Sequence, residues 1–114
     1  MKDNFKLFQE TFIKYQKLFG LTGYKIYFKQ EEIDRSFADI TVEQVDMIAT
    51  VRLNNKVPDK DKPFQNTKLS AKHEAIHLLL HRMDSLAHNR YIREEEVYEA
   101  EEELAFKLEE LIPD

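Results

Sequence analysis

The stretch Leu69-Ser70-Ala71-Lys72-His73-Glu74-Ala75-Ile76-His77-Leu78-Leu79-Leu80-His81-Arg82-Met83 decides how the rest of the chain is read. Leu69, Ile76, Leu80 and Met83 recur at helical spacing, and His73 falls inside their stripe. A helix is predicted here, capped by Thr67 or Ser70 and running to about Leu86. On such a helix, residues four apart differ by about 40° in direction and one turn in height. His73 and His77 can therefore reach one common partner. Both rings are expected to face the core, where a polar ring needs something to bind.

Zinc takes nitrogen and oxygen ligands in a tetrahedron, and two imidazoles one helical turn apart supply two of its corners without strain. Glu74, beside the first histidine, projects next to the site and can hold and deprotonate a water, which is the physical content of the pattern His-Glu-x-x-His. The plain alternative is a pair of core histidines hydrogen-bonded to backbone or carboxylate. A glutamate between the two, on a helix with an apolar face, favours the metal. The chain has no cysteine, so thiolate zinc sites and disulfides are both excluded.

Two histidines leave zinc one protein ligand short. His81 continues the same helix and is carried away from an ion held by the first two, and no glycine follows Gly23 to end the helix before a further histidine. The last helix is better placed. Val97, Leu104, Leu108 and Leu111 form its apolar stripe, and Glu101 lies within it. An acid on a buried face demands a cation or another partner. An antiparallel hairpin turning at residues 87–91 would also bring Glu101 level with His77. Glu102 is the second choice. His81, Asp84 and His88 stay in reserve, and the other acids of residues 94–103 read as a solvated face.

Outward from these helices, Phe5, Phe8, Phe12 and Phe19 predict an amphipathic helix of about four turns that stops at Gly20. Residues 24–29 alternate as a half-buried strand, and residues 37–42 and 47–53 read as two more, joined by a hairpin turn. Residues 54–66, with Pro58 and Pro63, form a loop. Residues 88–90 make a turn, and the last helix runs from near Ile92 to before Pro113, with Glu94, Glu95 and Glu96 at its favourable N-terminal end. The order is helix, three strands, helix, helix: an α+β layout with a small, antiparallel sheet. At 114 residues the chain is expected to be one domain, residues 1–114.

The net charge is −5, with Lys and Arg scattered, which argues against nucleic acid or an anionic membrane as partner. Met1-Lys2-Asp3-Asn4-Phe5 lacks the apolar run of a secretion signal, so cytoplasmic residence is expected, although a secreted form without its leader would read the same.

With these residues in view, the chain resembles the minimal gluzincin metallopeptidases of the SprT-like and ImmA/IrrE-like kind, including small phage and prophage versions. The carriers are residues 73–77 and Glu101 with Leu104, Ala105, Leu108, Leu111, Ile112 and Pro113. The strand through residues 49–54 looks like the edge strand of that fold. The resemblance covers roughly residues 24–113 and implies a zincin-like domain in which His73, His77 and Glu101 hold zinc. It implies a peptidase that hydrolyses peptide bonds through a metal-activated water, with Glu74 as general base. An extended protein or peptide substrate would lie along the 49–54 strand. Tyr91, Tyr98, His81 and His88 are candidates for stabilising the oxyanion. Little room remains for a deep specificity pocket, which leaves target choice to an adaptor or associated regulator. The rival expectations are a non-catalytic zinc-containing regulatory module and a metal-free interaction domain.

Overall fold

The structure, a computed structural model, describes residues 4–111. Helix α1 (Asn4–Leu18) is followed by strands β1 (Lys25–Glu31), β2 (Ala38–Glu43) and β3 (Ile48–Asn54). A 3₁₀ turn at Lys62–Phe64 then leads to helices α2 (Thr67–Ala87) and α3 (Glu94–Leu111). The α+β class and the element order agree with the sequence reading.

The aromatic face of α1 builds the centre of the core. Phe8 and Phe12 are fully buried, and their rings meet the edge of Phe28 at centroid distances of 6.3 and 5.6 Å. Gly20 ends the helix with φ of +70°. Its N–H donates to the Lys17 carbonyl while Leu21 N–H donates to Gln16, a Schellman closure that suits a residue without Cβ. The Gln16 amide then donates to the carbonyls of Leu21 and Tyr24 at 2.9 and 3.1 Å, which ties the turn to the start of β1.

The sheet is mixed, in the order β1-β3-β2. The expected hairpin is present: β2 and β3 pair antiparallel, with Ala38 opposite Leu53 and Glu43 opposite Ile48. β1, however, pairs parallel to β3, with Lys25 opposite Ile48 and Glu31 opposite Asn54. The fully antiparallel sheet is thereby corrected, and so is the position of residues 49–54, which form the central strand and have no open edge. The physical reason lies in β3 itself. Ala49, Val51 and Leu53 are its core-facing residues, all almost completely buried, and such a strand is best covered on both sides. β1 carries Lys25 and Lys29, suited to an edge. The other edge is β2.

Both α1 and α2 cover the core face of the sheet. Among the described residues no helix is long and apolar enough to cross a membrane. Ile112 and Pro113, which carry part of the resemblance, lie outside the described residues.

Candidate metal centre

Helix α2 is capped by Asn66, not by Thr67 or Ser70: the Asn66 side-chain oxygen accepts from Leu69 N–H at 3.1 Å. Its buried face is Ala71, Glu74, Ala75, Leu78 and Leu79. The stripe expected to be buried is instead open, with Leu69 58%, Ile76 37% and Leu80 41% exposed. This helix has apolar residues on two faces, and periodicity alone does not choose between them. Ala71 and Ala75 decide the choice, because small side chains let α2 approach α1 closely.

That phase turns His73 and His77 out of the core and into a groove of about 960 Å³ between α2 and β2. Their Nε2 atoms stand 3.1 Å apart and the rings meet edge to face. Two nitrogens bound to one tetrahedral ion at about 2.05 Å would be about 3.3 Å apart. The spacing therefore fits a shared zinc ion, and the donors are of the type zinc takes.

Glu74 sits at the border between groove and core, 5% exposed. Burial pushes its carboxyl up from the usual 4.5 to about 7, with the negative charge of Asp39 adding to the effect. Asp39 belongs to the groove wall formed by β2 and was not singled out by sequence. The alternation of residues 37–42 was its only local signal; its nearness to Glu74 is a tertiary fact. Arg52, opposite it on β3, holds it through Nε–H to Oδ1 at 2.7 Å and a second bond from Nη2 to Oδ2, while Nη1 donates to Glu31 at 3.0 Å.

His81 and Asp84 line the same groove. His88 does not: its Nδ1 lies 2.8 Å from the Asp84 carbonyl, at the C-terminal end of α2. Tyr91 and Tyr98 are 81% and 63% exposed, away from the groove. The Tyr98 hydroxyl hydrogen-bonds Glu102, which raises its pKa. Of the four oxyanion candidates, His81 alone faces the histidine pair's groove.

The third ligand is the point of disagreement. Ala100 holds the buried position on α3, at 2% exposure, and Glu101 is exposed. Arg82 of α2 pairs with Glu99 at 3.6 Å and Glu103 at 2.5 Å, one on each side of Glu101 along the helix. Glu101 is thus level with Arg82, five residues or roughly 7.5 Å beyond His77. Neither premise that selected Glu101, burial or level, holds. Among the described residues, no three His, Cys, Asp or Glu gather into a group that could hold a metal.

In comparisons with known proteins, no family model, no curated protein and no solved structure matches the chain.

Proposed function

We propose that this chain is a zinc-dependent peptidase in which His73 and His77 hold the ion and Glu74 is the general base. The observation that carries this reading is the histidine pair, with Nε2 atoms 3.1 Å apart, beside a glutamate whose carboxyl is raised to about 7. In the metal-free chain burial raises the Glu74 carboxyl toward the pH range in which a general base works, and a bound cation would draw it back down.

Zinc, when bound, supplies a Lewis acid that polarises a carbonyl and makes water acidic near neutral pH. Glu74 takes a proton from a water in the groove as that water's oxygen attacks the peptide carbonyl, and passes it to the departing amine. His81 is the side chain best placed to steady the developing oxyanion. Glu101 is the proposed third ligand, on the strength of the resemblance. For it to serve, α3 would have to slide along α2 by more than one turn. An extended protein or peptide substrate would pair along β2, whose outer edge meets no other strand among the described residues and whose residues wall the groove. Cytoplasmic residence remains part of the proposal.

The test begins with protein purified without a metal-affinity tag. Elemental analysis is expected to give about one zinc per chain, lost on chelation with a fall in melting temperature. Glu74→Gln should keep the zinc and lose cleavage of unfolded protein substrates, because an amide cannot accept the proton. Zinc bound without cleavage by either form would favour the non-catalytic module. A chain without zinc, indifferent to chelator, would sink both readings.

A further inference from the structure

The groove does not end at the histidines. Around His73 and Glu74 it opens into a second cavity of about 330 Å³, formed where the start of β2, the 3₁₀ turn and the first turn of α2 converge. Its apolar walls are Phe37, Phe64 and Leu69, and His73 and Glu74 form its inner side. Phe64 is 76% and Leu69 58% exposed, although both are large and apolar. Isolated exposed apolar residues are ordinary, but two of them facing one cavity beside candidate catalytic groups form a built apolar recess.

We infer that this recess is a specificity subsite for one bulky apolar side chain of the substrate, next to the bond that is cleaved. The inference rests on the peptide-hydrolysis reading. Four observations fix the occupant's chemistry. The volume is at the small end of ligand cavities, fit for one side chain and not for a cofactor. The uncharged polar lining is Ser36, Ser70 and Asn66, and the Asn66 side-chain oxygen is already engaged in capping α2. Among the described residues the ionisable lining groups are His73 and Glu74, so an acidic side chain would find no Lys or Arg and would face the Glu74 carboxyl. Finally, Ser36, Ala38, His73 and Glu74 line both the recess and the main groove, so the two cavities adjoin. A strand paired along β2 places its residues about 3.3 Å apart. A side chain entering the recess past Ala38 is therefore within a residue of the bond that Glu74 serves.

The experiment uses fluorescein-labelled decapeptides of Gly and Ser that differ at one central residue, which is Leu, Phe, Ala or Asp. Binding is measured by anisotropy to the zinc-supplemented Glu74→Gln protein, where turnover does not interfere. The Leu and Phe peptides should bind at least about tenfold more tightly than the Ala peptide, and more tightly than the Asp peptide, whose carboxylate the apolar walls Phe37, Phe64 and Leu69 do not solvate. Phe64→Ser with Leu69→Ser should reduce that preference to within about twofold. Both residues are exposed, so an unchanged melting temperature is expected and confirms that the fold is intact. In the wild-type protein, mass spectrometry of a digested unfolded substrate should find a bulky apolar residue beside the cleaved bonds. Equal binding of the Leu and Ala peptides, no binding of any peptide, or a preference that survives the double substitution overturns the subsite. Turnover without side-chain preference also overturns it and leaves the peptidase standing. Preference in binding without turnover in the wild type upholds the subsite and removes the peptidase.

Discussion

Glu74→Gln should stabilise the metal-free protein, and by an amount that depends on pH. Glu74 is 5% exposed and its carboxyl titrates near 7 in the folded chain against about 4.5 when exposed. Below pH 4.5 the group is protonated in both states, and glutamine differs little from it. Between 4.5 and 7 the folded state holds a proton that the unfolded state has released, so the wild type loses stability as pH rises. Above 7 the folded protein carries a buried carboxylate and the loss is complete. That gap, at about 1.4 kcal/mol per pH unit, comes to about 3 kcal/mol. Glutamine fills the same space with no charge to bury. The expected gain is therefore near zero at pH 4.5 and about 3 kcal/mol at pH 8.

Urea unfolding of both proteins at a series of pH values, in the presence of a chelator, measures this difference directly. A difference that stays flat from pH 4.5 to 8, or a variant less stable than the wild type at pH 8, would refute the argument that burial raises the Glu74 carboxyl.

The remaining predictions concern α3 and the core. Zinc titrations of Glu101→Ala, Glu102→Ala and Glu103→Ala should show affinity falling tenfold or more for Glu101→Ala alone. Loss only in Glu102→Ala moves the ligand by one residue, and no loss in any variant removes α3 from the metal site. Glu103→Ala breaks the half-exposed pair with Arg82, so urea unfolding should record at most about 1 kcal/mol. Phe12→Ala removes a fully buried ring packed against Phe28 and should cost about 3–5 kcal/mol by the same measurement.

What could be read from sequence follows the range of the interactions involved. α1 was legible because its aromatic spacing and Gly20 are local signals, and the Gly20 φ of +70° is the conformation that glycine supplies. The β2–β3 hairpin was legible from its short turn. The insertion of β3 between β1 and β2 was not, since a strand's neighbours depend on what the whole sheet must cover. His73, Glu74 and His77 were legible as a set because a helix fixes their relative directions. The partners of that set, Asp39 across the groove and any ligand from α3, depend on contacts between elements that no local pattern encodes. Glu99 and Glu103, which pair with Arg82 across α2 and α3, read from sequence as part of a solvated face.

The helix phase that corrected the sequence reading also makes the site chemically more useful. Adjacent residues on a helix point about 100° apart, and with Ala71, Glu74, Ala75, Leu78 and Leu79 on the buried face, His73 and His77 fall on the outward one. Had the histidines faced the core, as the Leu69–Met83 stripe suggested, an ion between them would have been closed off from water and substrate. In the observed phase the carboxylate lies in the dry margin that raises its pKa, while both imidazole Nε2 atoms open onto a groove bordered by a free strand edge. Open imidazoles with a half-dry base match what hydrolysis requires of these three residues: a coordination position left for water and a carboxyl able to take its proton. The same arrangement places an ionisable group where it weakens the fold, a cost that a purely structural histidine pair would not need to carry. The stability gain expected for Glu74→Gln therefore bears on the proposal as well, because it would show that Glu74 does not serve to hold the metal-free fold together.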